Sequence, residues 1–368
     1  MVLIAVGIVG SYLLLLFFPI AVWRKMPFTS SEKHEGKVSV IIPFRNEELN
    51  LRRLAESLEA QTYSSFEVLF VNDHSTDDSL NVLKCLVDKG ITLSLNIISL
   101  EETQGKKAAL AAGIAQATGE IIVTTDADCW CNENWLKAMT SGFHNPQTQM
   151  ITGPVVLEGM SFFQKLQRIE FGAVLASSAA LIGLSKPTMA NGANLAYRKS
   201  VFNEVNGFSG IEQTPSGDDE LLMMKIVKKY PKSVVFAKSA EAVVHTLAHV
   251  NWTNFVQQRK RWASKWKVGM RRSTILSALF VYMVQLAFVG LVLLFFLGEL
   301  PLSSVAGLWL IKIILEFLLI RNYFDDLKQP YSFFHFVLLQ TFYPFYVLYV
   351  GLASNFGRFQ WKDRSFKI

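Results

Sequence analysis

Three cysteines in 368 residues, Cys85, Cys129 and Cys131, are too few for a disulfide framework. Cys129-Trp130-Cys131 does not have zinc-ligand spacing, and no second pair exists to complete a tetrahedral set. Neither a G-x-G-x-x-G loop nor a Walker loop occurs, which removes support from the usual dinucleotide and ATP readings. Internal repeats and low-complexity segments are absent. The net charge of +6 comes without a nucleic-acid-binding motif, so an anionic membrane face or a phosphorylated substrate suits it better than nucleic acid. Charge is also missing from two long runs, residues 2–23 and 273–298, in a chain that is 51% hydrophobic.

About 20 apolar residues cross a bilayer as a helix, so 1–23 is expected to be an N-terminal transmembrane helix. A cleaved signal peptide fits poorly, because no positive charge precedes the run and no small-residue cleavage pattern follows it. Arg24 and Lys25 come directly after it, which places the following residues in the cytoplasm. The run 273–298 then leaves the cytoplasm, and 302–320 returns to Arg321. Within that return, Lys312 and Glu316 are spaced to pair on one face. The C-terminal membrane region, 273–355, ends in a harder stretch. Residues 332–354 are long enough to span, but the basic tail 356–368 carries Arg358, Lys362, Arg364 and Lys367 and belongs inside, and Pro344 can break a helix. A re-entrant pair of half-helices is expected there in preference to a third span.

Residues 33–272 have the composition of a cytosolic domain long enough to bury its own core. Val38 to Ile42 is a β-rich run stopped by Pro43. Residues 47–61 have helical spacing, with Leu49, Leu54 and Leu58 on one face. "FEVLFVNDHSTDD" is an apolar strand with polar residues at its end, where Thr76 or Asp77 can cap the next helix. A strand over 92–99, a helix in "QGKKAALAAGIAQATGE" and a strand in "EIIVTTDAD" follow. This alternation predicts an α/β class with a doubly wound, mostly parallel sheet. Ligands of such sheets gather at the carboxyl ends of strands, where Asn46, Glu47, Asn72, Asp73, Asp126 and Asp128 stand. In an extended segment Asp126 and Asp128 would point the same way and repel. Mg²⁺ or Mn²⁺ would relieve that repulsion, being hard cations commonly shared with substrate phosphates. A solvated loop with two acids is the plain alternative.

Further along, Gly217 closes a loop and Asp218 opens a helix whose apolar face includes Leu221, Leu222 and Ile226. Acids at such a position are often only dipole partners. A helix near 252–268 would place Gln258, Arg261 and Trp262 on one face, with Lys260, Lys265 and Lys267 nearby, as in a basic amphipathic helix on a membrane surface. Residues 161–184 read as an apolar, small-residue helix, either interfacial or buried. "MANGANLAYRKSVF" has the composition of a turn, and His245 is a lone histidine that could ligate a metal.

"VIIPFRNE", "VNDHSTDD", "GKKAAL", "TTDAD", "GDDELL" and "QRKRW" occur in this order. The ordered set resembles the family 2 glycosyltransferases of GT-A fold over about residues 38 to 270. The membrane layout is similar to that of ceramide glucosyltransferases, related bacterial lipid glycosyltransferases and small polysaccharide synthases. The resemblance implies a UDP-sugar donor, with uracil and ribose held by Pro43, Asn46, Glu47 and Asp73, and with Lys106 near the nucleotide. It makes Asp126 and Asp128 the DxD pair, the second on a metal and the first against ribose or metal. It makes Asp219, in preference to Asp218, the general base. It gives Gln258, Arg261 and Trp262 to the catalytic QxxRW motif, and sets Asn191, Gly192, Asn194 and Asp218 around donor sugar and acceptor.

The expectation is an integral membrane, inverting hexosyltransferase that moves one sugar from a UDP-sugar to a lipid acceptor, assisted by Mg²⁺ or Mn²⁺. Its compact layout suggests a bacterial inner membrane, with the catalytic domain cytoplasmic. Processive polymer synthesis is the first alternative, opposed by a C-terminal region too short for a pore. A non-catalytic scaffold would not need these acids. A tethered nucleotidyltransferase leaves "QRKRW" without a purpose.

Overall fold

The computed structural model describes residues 2–29, 34–88, 90–91, 93–212, 214, 216–264, 272–354, 358–361 and 364–367. Helix α1 (Val2–Lys25) precedes β1 (Val38–Phe44), α2 (Leu51–Glu59), β2 (Phe66–Asn72), α3 (Ser79–Asp88), β3 (Leu95–Ser99), α4 (Lys106–Gln116) and β4 (Ile121–Thr124). Next come β5 (Cys129–Cys131), α5 (Trp135–Thr140), β6 (Met150–Thr152), β7 (Val155–Glu158), α6 (Phe162–Gly183), β8 (Leu195–Arg198), α7 (Lys199–Glu204) and α8 (Glu220–Lys229). The chain ends with β9 (Val234–Phe236), β10 (Val244–Leu247), α9 (Trp252–Ser264), α10 (Arg272–Phe296), α11 (Leu302–Asp326), α12 (Phe333–Ala353), β11 (Arg358–Trp361) and β12 (Arg364–Lys367).

Two compact units result. One is Pro27–Glu158 with Leu181–Leu247; the other is Met1–Met26, Gly159–Ala180 and Ala248–Ile368. The domain expected to run unbroken over 33–272 is therefore interrupted: most of α6, and all of α9, group with the apolar helices.

The α/β unit has, among the described residues, a seven-stranded sheet in the order β3-β2-β1-β4-β8-β6-β9 and a three-stranded sheet, β5-β10-β7. Strands β1, β2, β3 and β4 pair in parallel, and β8 runs antiparallel to β4 and β6. Both β1 and β4 are buried along their whole length, which explains their mostly apolar sequences, Ser39 and Thr124 apart. The chain winds outward from β1 to β3, then returns on the other side of β1 to lay down β4. That reversal is a switch point, where the strand ends open a crevice.

Pro43 does not stop β1, which continues to Phe44. Val38 N–H bonds Ser65 O and Asp73 N–H bonds Phe44 O, so the even-numbered residues face β2. Pro43 therefore faces the β4 side, beyond the last β1–β4 pair, Ile41 with Thr124, where a missing N–H costs no ladder bond. Helix α2 is shorter than expected. Leu49 is 88% exposed, and Leu51 joins Leu54, Ala55 and Leu58 in the core instead.

In the helical unit, α1, α10, α11 and α12 are long and apolar enough to cross a membrane. Helix α1 packs on α10 and α11, and α12 packs on α10. Lys312 pairs with Glu316 at 3.0 Å, as its spacing predicts, and also donates to Gln340 on α12. Tyr12 donates to Glu316 at 2.6 Å, and Trp23 Nε1 to Asp326 at 2.8 Å. Lys312, Glu316 and Asp326 of α11 are thus answered by Gln340 of α12 and by Tyr12 and Trp23 of α1.

The expected pair of half-helices at 332–354 is a correction: α12 is one continuous helix through Pro344. It runs beside α6, with Phe162 against His335 (ring centres 5.1 Å apart) and Tyr346 donating to Glu170 at 3.2 Å. Strand β11 packs on α9, so the basic tail ends beside the helix that carries "QRKRW".

Candidate active site

At the switch point, the loops after β1 and β2 are laced together. Asn46 takes a left-handed backbone (φ 53°), donates its N–H to Ser75 Oγ at 3.1 Å and accepts Thr76 N–H on its side chain at 2.8 Å. Glu47 N–H donates to Ser79 Oγ at 2.8 Å, and its carboxylate accepts from Asn50 at 2.7 Å. Asp77, a predicted cap, accepts from Ser79 N–H at 3.1 Å. Arg45 donates to the carbonyls of Asp73 and His74. The buried Asp73 carboxylate accepts Gly105 N–H at 3.0 Å. Gly105 sits at φ 98°, ψ 159°, a conformation essentially reserved to glycine, and launches α4 at Lys106.

Asp126 and Asp128 lie not in an extended segment but in a tight turn, closed by Cys129 N–H on Asp126 O at 3.1 Å. Both are half-buried. The Cys129 thiol lies 3.8 Å from Asp128 Oδ1; burial, then Asp128 and Asp126, push it well above its ordinary value. Lys106 Nζ stands 2.6 Å from Asp126 Oδ1 and 3.2 Å from Asp218 Oδ2. Burial would lower this ammonium, but Asp126 and Asp218 outweigh it and raise it well above the usual lysine value. Burial would likewise raise the Asp218 carboxyl, yet Lys106 and Lys107 hold it below the usual range.

Asp219, not Asp218, caps α8. Its Oδ1 accepts Glu220 N–H at 2.6 Å, and its Oδ2 accepts Gly192 N–H at 3.1 Å. Asp218 is buried and Asp219 half-buried. A Cβ on Gly192 would stand 2.9 Å from Asp218 Oδ2 and 3.2 Å from Lys106 Nζ, so this close approach requires glycine. Asn191 turns the chain by accepting Ala193 N–H at 3.0 Å. Asn194 is a correction. It is fully buried, takes Trp135 Nε1–H on Oδ1 and donates to the carbonyls of Pro154 and Ala242, so it braces the core and has no face for a sugar.

His245 pairs with Glu158 at 2.8 Å and stacks on Trp130, whose ring centre is 3.2 Å from the Arg53 guanidinium. In the helical unit, Gln258, Arg261 and Trp262 lie on α9, and Lys265 and Lys267 fall outside the described residues. Trp262 packs on Phe171, with ring centres 5.6 Å apart. The residue that anchors this helix is Arg259: it is buried, ion-paired to Glu170, donates to Tyr346 OH at 2.9 Å and lies over the Trp262 ring.

Residues 39–206 match Glycosyl transferase family 2. The glycosyltransferase AglE of Haloferax volcanii is 28% identical over 46% of this chain and 55% of its own. The undecaprenyl-phosphate 4-deoxy-4-formamido-L-arabinose transferase of Pseudomonas fluorescens is 36% identical over 25% of this chain and 27% of its own. Residues 39–206 are a family 2 glycosyl transferase domain. The mannosyltransferase PcManGT of Pyrobaculum calidifontis, solved with GDP-Man and Mn²⁺, shares the fold at a TM-score of 0.60 and 17% identity, over 92% of this chain and 98% of that one. The chain spans about a quarter to a half of the length of these curated relatives.

In the transferase domain, no cluster of three or more His, Cys, Asp or Glu among the described residues could hold a metal alone. The two half-buried carboxylates of the Asp126–Asp128 turn are hard oxygen donors. They fit Mg²⁺ or Mn²⁺ where a substrate diphosphate completes the shell. Two residues carry weight that the motifs hid. Lys107 is 7% exposed and donates to the carbonyls of Thr214 and Ser216 at 2.5 and 2.9 Å, stapling the loop before Asp218. Arg259 sits inside "QRKRW" but outside its QxxRW positions; a lone glutamate in an apolar helix, Glu170, is the sequence signal that such a partner exists.

Proposed function

We propose that this protein transfers a single sugar from a UDP-sugar to a lipid acceptor at the cytoplasmic face of a membrane, with inversion at the anomeric carbon. One observation carries the reading: acids of the β4 end and of the α8 start meet around Lys106 and Gly192, at the switch point of a family 2 transferase domain. In this reading Asp73 and the β1 end bind the nucleoside, and Asp126 and Asp128 hold the divalent cation. When bound, that cation supplies positive charge to the departing diphosphate. Asp219 takes the proton of the acceptor hydroxyl. The freed oxygen bonds to the anomeric carbon as the bond to the diphosphate oxygen breaks, and the nucleotide leaves with the electron pair. Asp219 suits the role better than Asp218, which is buried and already ion-paired. A carboxylate has about four acceptor sites, so the two backbone N–H groups on Asp219 leave room for a proton.

The lipid acceptor is supported by four helices of membrane-spanning length and by the undecaprenyl-phosphate relative. The solved neighbour bears GDP-Man, so the nucleobase is the point to test. Purified protein would be given UDP- and GDP-sugars with Mn²⁺ or Mg²⁺, with and without extracted membrane lipid. Release of UDP that depends on lipid is the expected result. Release from GDP-sugars alone would overturn the donor, and release indifferent to lipid, with a lengthening product, would turn the reading to polymer synthesis.

A further inference from the structure

We propose that Lys106 is the resident counter-ion of the acid cluster. It holds the divalent cation's electrostatic place in the donor-free protein, so that the cation enters with the nucleotide diphosphate and not ahead of it. This deepens the transferase reading above and rests on it. A single ammonium bridges Asp126 (2.6 Å) and Asp218 (3.2 Å), joining the β4 turn to the α8 loop, and its side chain is only 16% exposed. A metal ion takes a carboxylate oxygen at about 2.0–2.1 Å and repels an ammonium on the same oxygen. Lys106 and a cation therefore compete for Asp126. Among the described residues no third acid or histidine completes a metal site, so the protein alone offers the cation little to win that contest.

A diphosphate changes the balance. It brings oxygen ligands for the cation and a second acceptor for the ammonium, so Lys106 can pass from Asp126 to phosphate. The geometry suits such a transfer. Gly105, one residue before Lys106, is held by Asp73 at 3.0 Å, so the residue proposed to read the nucleoside also fixes the start of the lysine's helix. Gly192 leaves the space beside Nζ clear of a side chain.

The test is Mn²⁺ binding to the full chain in detergent, read from the electron paramagnetic resonance of free Mn²⁺, with and without UDP or GDP. An opposite charge at this range changes a carboxylate's affinity for a cation by about tenfold or more. Lys106→Gln is therefore expected to bind Mn²⁺ about tenfold tighter than wild type without nucleotide, and Lys106→Arg to match wild type. Nucleotide is expected to tighten Mn²⁺ on wild type and to do so less on Lys106→Gln. Equal nucleotide-free affinity in wild type and Lys106→Gln would overturn the counter-ion even if nucleotide tightens Mn²⁺. Should neither nucleotide matter while Lys106→Gln gains affinity, the counter-ion stands and the donor reading fails. If Lys106→Gln does not fold, wild type alone decides: tight Mn²⁺ binding that nucleotide leaves unchanged contradicts the proposal.

Discussion

In the helical unit the buried charged groups among the described residues are matched: Arg259 with Glu170, Lys312 with Glu316 and Gln340. In the α/β unit acids outnumber cations at the crevice, and Asp126, Asp128 and Asp219 stay half-open. The first arrangement minimises the cost of ions away from water. The second accepts like-charge crowding, which is stable only where a ligand or counter-ion answers it. Substitutions in the two units should therefore fail differently, one in folding and the other in chemistry.

The sharpest contrast is expected from Asp219→Asn. Asparagine keeps one acceptor oxygen for the Glu220 N–H that caps α8 but cannot also accept the Gly192 N–H, so the unfolding midpoint should fall only by about one hydrogen bond's worth, about 1 kcal/mol. Loss of the proposed base should lower turnover by about 10²–10⁴-fold. A large fall in midpoint with intact turnover would return Asp219 to a purely structural role.

Arg259→Met should do the reverse. Leaving Glu170 buried and unpaired costs about 3–5 kcal/mol, while Arg259→Met with Glu170→Gln should recover much of it. Thermal unfolding in detergent reads both, and donor KM should be unchanged in whatever remains folded. Gly192→Ala is the next smaller effect. Its methyl must displace Asp218 or Lys106, so kcat should drop about tenfold, on the scale of about 1.4 kcal/mol, with little change in stability.

The smallest expected effect lies in the sheet of the transferase domain, far from chemistry. Burial tends to raise the Glu67 carboxyl, but hydrogen bonds from Ser39 and Thr118, with Lys37 nearby, hold it at about 2 against an ordinary 4.5. Its stabilisation is therefore complete above pH 4.5 and lost as pH falls toward 2. Glu67→Gln should lower stability by about 1 kcal/mol at neutral pH and flatten that acid limb, as followed by unfolding midpoints across pH.

The alternation of apolar runs and helical segments made the parallel sheet legible, and strand ends named Asp73, Asp126 and Asp128 because polar residues have few other reasons to follow buried strands. The break in the domain was not legible. Residues 161–184 are apolar enough for a core or an interface, and only contacts with α9 and α12 decide between them. Leu49 and Leu51 both satisfy a helical period, and the turn from Glu47 to Asn50 selects Leu51. Lys106 was placed near the nucleotide, but its grip on Asp218 joins residues distant in sequence, which periodicity cannot show. Asn194 was set beside the donor sugar by the family resemblance, yet its amide, just before β8, turns into the core.

The most direct test of the account is transfer of labelled sugar from UDP-sugar into extractable lipid by the purified protein, beside Asp219→Asn. The account predicts one sugar per lipid, of inverted anomeric configuration, formed by wild type and absent from the variant. A lipid product of retained configuration, or equal product from the variant, would contradict it.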